Sequence, residues 1–225
     1  MKTIRNTLRS LSLLLQYPDV RHRALLPVIV EALDDEAALP ANRRAELRHL
    51  AGTLLRDDAM EVESRYVELF DRGRSTSLHL FEHVHGDSRD RGPAMVDLIQ
   101  TYAAAGLELG ERELPDHLCV VLEFASTQPP QVAREFLGEM AHILKAIFSA
   151  LRQRDSAYAT VVAAVLELAG QKVEAVPFTP DEALDATWEE PAVFDGCSVR
   201  GQAAPGQTRP LQFVRNATQH QGARA

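Results

Sequence analysis

Two cysteines in 225 residues, Cys119 and Cys197, leave this chain without the material for a disulfide framework. They form no CxxC pair either, so neither a stapled secreted domain nor a dithiol redox centre is expected, and a reducing compartment fits best. Positive charge is also scarce: 24 Lys and Arg stand against 32 acidic residues, a net charge of -8. Nucleic acid and anionic membranes both select basic surfaces, so the balance points away from them and toward a basic partner. Lysine is nearly missing. Lys2, Lys145 and Lys172 stand beside 21 arginines, a bias that reflects genomic base composition. No apolar run nears the roughly 18 residues of a membrane span. The run Leu11–Leu15 follows basic residues but is too short for a secretory h-region and has no small-residue cleavage site after it. A cytoplasmic protein is expected. There is no GxxxxGK[ST], no GxGxxG after a strand and no GxSxG elbow, which removes the usual nucleotide and nucleophile chemistries.

What is present is helical periodicity. With 45% apolar and 25% charged residues, the composition is that of a globular protein long enough for a substantial core. Ile4, Leu8, Leu11 and Leu15 form one stripe, halted at Tyr17-Pro18; Leu25, Ile29, Ala32 and Leu33 form a second. Leu47, Leu50, Ala51 and Leu54 form a third after Pro40. Asp58 and Glu61 have the spacing of a capping box, which predicts a helix running to about Asp71 with Val62, Tyr66, Leu69 and Phe70 on its apolar face. Further helices are expected from Pro93 to Gly106 (Met95, Leu98, Ile99, Tyr102), and from Pro115 through Leu118, Val121, Leu122 and Ala125. A long one follows Pro130, carrying Phe136, Met140, Ile143, Ile147 and Leu151, and a last one, capped by Ser156, ends at Gly170. No segment alternates with a period of two, so the expected fold class is all-α: one bundle-like domain of about eight helices over residues 1–172. Residues 173–225 read as a tail. Six acids lie between Asp181 and Asp195, and from Gly196 onward four arginines stand with no acid among Gly, Gln, Ala and Pro. Such a composition favours disorder, although Leu184, Trp188, Val193 and Phe194 could dock its acidic part.

The stretch Tyr66–Asp90, Y-V-E-L-F-D-R-G-R-S-T-S-L-H-L-F-E-H-V-H-G-D-S-R-D, is the most unusual. It joins an apolar stripe to a dense run of charge with three histidines in seven positions. One reading is a metal-dependent helical hydrolase, with His79, His83, His85 and His117 as ligands, Glu82 as base, and Asp87 or Asp90 completing the set. His79 and His83 have i,i+4 spacing, but HExxH is missing and so are His-Asp dipeptides, and Gly86 suggests that the helix has already ended. The other reading is a surface built to hold a partner.

The residues Tyr66–Gly92, continued by Ala94–Ile99 (A-M-V-D-L-I), Glu113–Leu118 (E-L-P-D-H-L) and Trp188–Phe194 (W-E-E-P-A-V-F), closely resemble the signature of the NarJ family of assembly chaperones for the molybdenum-containing respiratory nitrate reductase. The resemblance is strong over about residues 60–125 and extends to the rest in layout. It implies an all-helical fold shared with the maturation chaperones of other molybdoenzymes, no enzymatic activity, and no metal or cofactor of its own. It also implies a partner: the cytoplasmic apo catalytic subunit, gripped chiefly by its N-terminal, twin-arginine-like peptide while iron–sulfur and molybdopterin cofactors are installed. The chaperone then leaves.

For such a role an amphipathic, arginine-bearing helix would lie in a groove, anchored by apolar contacts and set in register by Arg–carboxylate pairs. Helix phase places Tyr66, Leu69, Phe70, Phe81, Leu118 and Leu122 on the groove floor. Glu68, Asp71, Glu82, Asp87 and Asp116 would meet the basic residues of the peptide. His83, His85 and His117 lie among these carboxylates, which predicts peptide release that responds to pH. The acidic Asp181–Asp195 stretch would occupy the groove when no peptide is bound, so deletion beyond Pro177 should tighten peptide binding. A monomer or weak homodimer is expected.

Overall fold

A computed structural model describes residues 3–86, 88–110 and 113–177. Among them are ten α-helices and no strand. The all-α expectation therefore holds, with a π turn and a 3-10 turn inserted at Val67–Asp71 and Arg74–Thr76.

The most apolar helix lies at the centre. In α10 (Ala159–Leu168) every residue from Val161 to Leu166 is buried, as expected of a helix that is hydrophobic all round. It packs against α1 (Arg5–Leu14), α3 (Ala41–Arg56), α8 (Pro130–Glu139) and α9 (Ala141–Gln153). Helix α1 buries Leu8, Leu11 and Leu14 completely, between α2 (Val20–Glu36) and α7 (Leu118–Thr127). Asp19 caps α2 by accepting the His22 N–H at 2.7 Å. The Arg23 guanidinium donates to the carbonyls of Leu54, Leu55 and Asp57, closing the C-terminal end of α3 with a cation.

The α3 stripe is buried as expected: Leu47, Leu50, Ala51 and Leu54. The second stripe buries Ile29 and Leu33 as expected but departs at its start. Leu26 faces the core and Leu25 is 48% exposed, because the run Ala24–Val30 is apolar on every side and its phase is set by neighbours. The helix opened by Asp58, whose carboxylate accepts from the Met60 and Glu61 N–H groups, is α4 (Ala59–Tyr66), and its last turn widens into the π turn. The short α5 (Glu82–His85) ends at Gly86, whose φ of 51° suits glycine. Helix α6 (Arg91–Ala104) buries only Leu98 and Tyr102, and Ile99 faces outward. Two expected boundaries move. The helix expected from Pro115 begins at Leu118, with the His117 ring accepting the Cys119 N–H as its cap. The long helix expected after Pro130 breaks at Met140 into α8 and α9. Ser156 does not cap α10 directly: its hydroxyl accepts the N–H of Tyr158, the residue before the first turn, and Gly170 follows the helix with φ 73°. The chain stays attached to the domain through Glu174 (to Lys145, 3.0 Å) and Val176 (N–H to Ser149 Oγ, 2.8 Å). The acidic stretch and the Trp188–Phe194 motif lie outside the described residues.

Among the described residues no helix is long and apolar enough to cross a membrane.

Candidate functional site

The segment from Tyr66 onward separates into three layers. The innermost is aromatic. Tyr66 and Phe70 are each 6% exposed, with ring centroids 4.8 Å apart, and Tyr158 closes the cluster at 5.0 Å from Phe70. The Tyr66 hydroxyl donates to the Leu15 carbonyl at 2.7 Å, which ties this layer to the end of α1. Burial pushes the Tyr66 phenol far above its ordinary value, so it stays a neutral donor. Leu118 and Leu122 are fully buried on α7. Four of the six residues expected on a groove floor therefore face inward. Helix phase identifies which residues share an apolar face, and the partner of that face is the protein's own core.

The second layer orders the histidine-rich turn. The Leu80 N–H donates to the Asp116 carbonyl and the Leu118 N–H to the Leu78 carbonyl, so the turn pairs backbone to backbone with the start of α7. Asp116 is completely buried. Its Oδ2 accepts the Phe81 N–H at 3.1 Å and lies 3.6 Å from Arg91, while its Oδ1 lies 3.6 Å from His79 Nδ1. Burial opposes its charge, but His79, the Phe81 N–H and Arg91 together outweigh that and hold the carboxyl below its usual range. The same carboxylate raises His79. His117, whose ring stands edge-on to His79 at 4.9 Å, is driven down to about 4 by burial and then by His79. Glu82 accepts from Ser77 Oγ at 2.6 Å and pairs with Arg91 at 3.4 Å. His83 engages the Ser77 carbonyl at 2.8 Å and the His85 ring lies against half-buried Phe81. The histidines are thus spent on separate local contacts. Among the described residues no group of three His, Cys, Asp or Glu side chains could hold a metal ion. Asp87 lies outside the described residues.

The outer layer is a cleft of about 430 Å3 behind the π turn. Leu54, Val62, Leu69 and Tyr158 give it apolar walls, and Glu68 and Asp155 supply carboxylates beside Arg65 and Arg154. The Tyr158 hydroxyl is buried and makes no hydrogen bond among the described residues. Glu68 also borders a shallower cleft of about 300 Å3 with Tyr17, Met60 and Glu63, so it forms a ridge between the two. The π turn presents Leu69 to the larger cleft while leaving Glu68 and Asp71 exposed. π turns recur at functional sites because the extra residue redirects neighbouring side chains. Of the expected groove residues, Glu68 and Leu69 reach this cleft. Leu54, Val62 and Tyr158 were not foreseen, since they come from α3, α4 and the turn before α10, and no local pattern joins them.

The chain matches the family described as nitrate reductase delta subunit over residues 36–164. It is 44% identical over 197 residues to the nitrate reductase molybdenum cofactor assembly chaperone NarJ of Escherichia coli K12, covering 81% of each chain. It is 37% identical over 156 residues to the nitrate reductase-like protein NarX of Mycobacterium tuberculosis, covering 68% of this chain and 23% of that longer protein. Its fold resembles the crystal structure of a protein described as a redox enzyme maturation protein from Archaeoglobus fulgidus, with a TM-score of 0.53 and 22% identity, covering 76% of this chain and 96% of the other.

Proposed function

The chain belongs to the NarJ family of nitrate reductase assembly chaperones, which are not enzymes, and from that premise we propose that it grips the apo catalytic subunit of a nitrate reductase by the N-terminal peptide of that subunit. It holds the subunit open on the cytoplasmic side while molybdenum and iron–sulfur cofactors enter, and then departs. The observation that carries the peptide reading is the cleft behind the π turn: an apolar trough whose rim carries Glu68 and Asp155 as well as Arg65 and Arg154 suits an amphipathic helix that bears arginine and can exchange guanidinium partners with that rim. Leu69 offers an apolar anchor, and Glu68 and Asp71 offer exposed carboxylates to guanidinium groups. Tyr66, Phe70, Leu118 and Leu122 support the wall from within. Asp116, Phe81, Glu82, His83, His85 and His117 fix the neighbouring turn.

The test is calorimetric titration of the full chain with a synthetic N-terminal peptide of the cognate catalytic subunit. Leu69→Ala and Glu68→Gln should each weaken binding by roughly tenfold, the scale of one anchor or one charged pair; Glu68→Gln should leave the melting temperature within about 2 °C because its side chain is exposed, whereas Leu69→Ala should lower it modestly because Leu69 is half-buried against the core. Unchanged affinity in both variants would remove the cleft assignment.

A further inference from the structure

Helix α6 is held by little. Its buried residues Leu98 and Tyr102 join Phe124 in a small apolar cluster of their own, apart from the main core. At its first residue, Arg91 reaches Glu82 at 3.4 Å and the buried Asp116 at 3.6 Å. The Ser77–Phe81 turn reaches the same carboxylate through the Phe81 N–H and His79. One buried aspartate at the start of α7 therefore joins α6, which the main core does not hold, to the Ser77–Phe81 turn, which Leu78 and Leu80 anchor in that core. Its Oδ1 and the His79 Nδ1 both lack a hydrogen-bond partner among the described residues, although they stand only 3.6 Å apart. Two buried polar atoms left that way are costly unless one of them carries charge toward the other.

The geometry points to the Asp116–His79–Arg91 cluster as a proton-responsive latch, which holds the first turns of α6 against the Ser77–Phe81 turn and the start of α7 and loosens when His79 loses its proton. With the proton, His79 is a cation facing a buried anion. Without it, Nδ1 and the carboxylate oxygen face each other as a neutral ring and an anion, and Arg91 and the Phe81 N–H are left to balance Asp116 among the described residues. Among the described residues, Asp116, Glu82 from α5 and Arg91 from α6 are the charged neighbours of His79, while Asp116, Asp71 of the π turn and Glu113 are those of His117 at the start of α7. His117 stays neutral in the closed latch. In an opened one it would titrate near the ordinary histidine value of about 6.5. Above pH 7 it is therefore neutral in both states, and the response of His79 stands alone. The direction follows from the raised pKa of His79: the latch is complete at low pH and weakens as pH rises through the folded-state value.

The experiment is hydrogen exchange of the full chain at pH 7.0 and 8.5, read segment by segment as protection relative to an unstructured reference. Segments 79–86 and 91–98 should lose protection between the two pH values, as the pH rises through the raised value of His79. Helix α9 should lose none. His79→Gln should abolish the pH response of both segments and exchange at pH 7.0 as the wild type does at pH 8.5. Asp116→Asn should lower protection at both pH values and, by NMR, shift the His79 titration downward. If Asp116→Asn does not fold, His79→Gln alone decides the matter. A flat wild-type response, an equal response in α9, or a response that survives His79→Gln would each overturn the latch.

Discussion

Replacing Phe70 with alanine separates a core residue from a contact surface. Phe70 sits in the segment that most resembles the chaperone signature, and by helix phase alone it would be a peptide anchor whose loss spares the fold. The structure sets a different expectation. The ring is 6% exposed and lies between Tyr66 at 4.8 Å and Tyr158 at 5.0 Å. Truncating a buried phenylalanine costs about 3–5 kcal/mol, from lost transfer energy and the cavity left behind, and the edge-on ring pairs fall within that figure. For a domain of this size, each kcal/mol lowers the melting temperature by about 2–4 °C, so Phe70→Ala should melt roughly 6–20 °C below the wild type. Native domains have about 5–15 kcal/mol to lose, so the variant should still fold at 25 °C. Urea unfolding followed by far-ultraviolet circular dichroism measures the loss. An unchanged urea midpoint together with abolished peptide binding would refute the placement of Phe70 in the core.

Other outcomes follow from single contacts. Tyr102→Phe removes a buried hydroxyl that donates to the Pro115 carbonyl at 2.8 Å and should cost about 1–2 kcal/mol, with faster hydrogen exchange concentrated in α6. Acid should destabilise the fold through His117 and His22, both held neutral by burial. Their contribution is fully present above the unfolded value of about 6.5 and fades as the pH falls below it, because the unfolded chain takes up protons that the fold refuses. For His117, with a folded value of about 4, the loss between pH 7 and pH 5 is on the order of 2 kcal/mol, and His117→Gln should flatten that part of the urea-midpoint profile. His79 acts in the opposite sense: its contribution is present below about pH 6.5 and is lost as the pH rises through its raised value.

The parts of the fold that were legible are those where one face is clearly apolar. Leu47, Leu50, Ala51 and Leu54 recur at helical spacing with charge elsewhere, and α3 buries all four. Where apolar residues surround the helix, as from Ala24 to Val30, phase is undetermined until tertiary contacts choose Leu26 over Leu25. The π turn was invisible because Tyr66, Leu69 and Phe70 satisfy an ordinary helical spacing equally well. The break at Met140 carries no proline, and only Gly138 hints at it. Asp116 looked like a surface carboxylate in a polar run. Its burial depends on pairing Leu78–Leu80 with Asp116–Leu118, a contact between segments almost forty positions apart that no periodicity encodes. The cleft has the same origin, since α3, the π turn and the turn before α10 converge only in three dimensions.

The central claim is that this chaperone recognises the N-terminal peptide of an apo nitrate reductase catalytic subunit, and calorimetric titration of that peptide into the full chain tests it most directly. The account predicts saturable binding at one peptide per chain, weakened by Leu69→Ala and Glu68→Gln and unaffected by a conservative change on the far side of the domain. No heat and no saturation with the peptide, in a sample that still retains the apo subunit, would contradict the claim and move recognition to another part of that subunit.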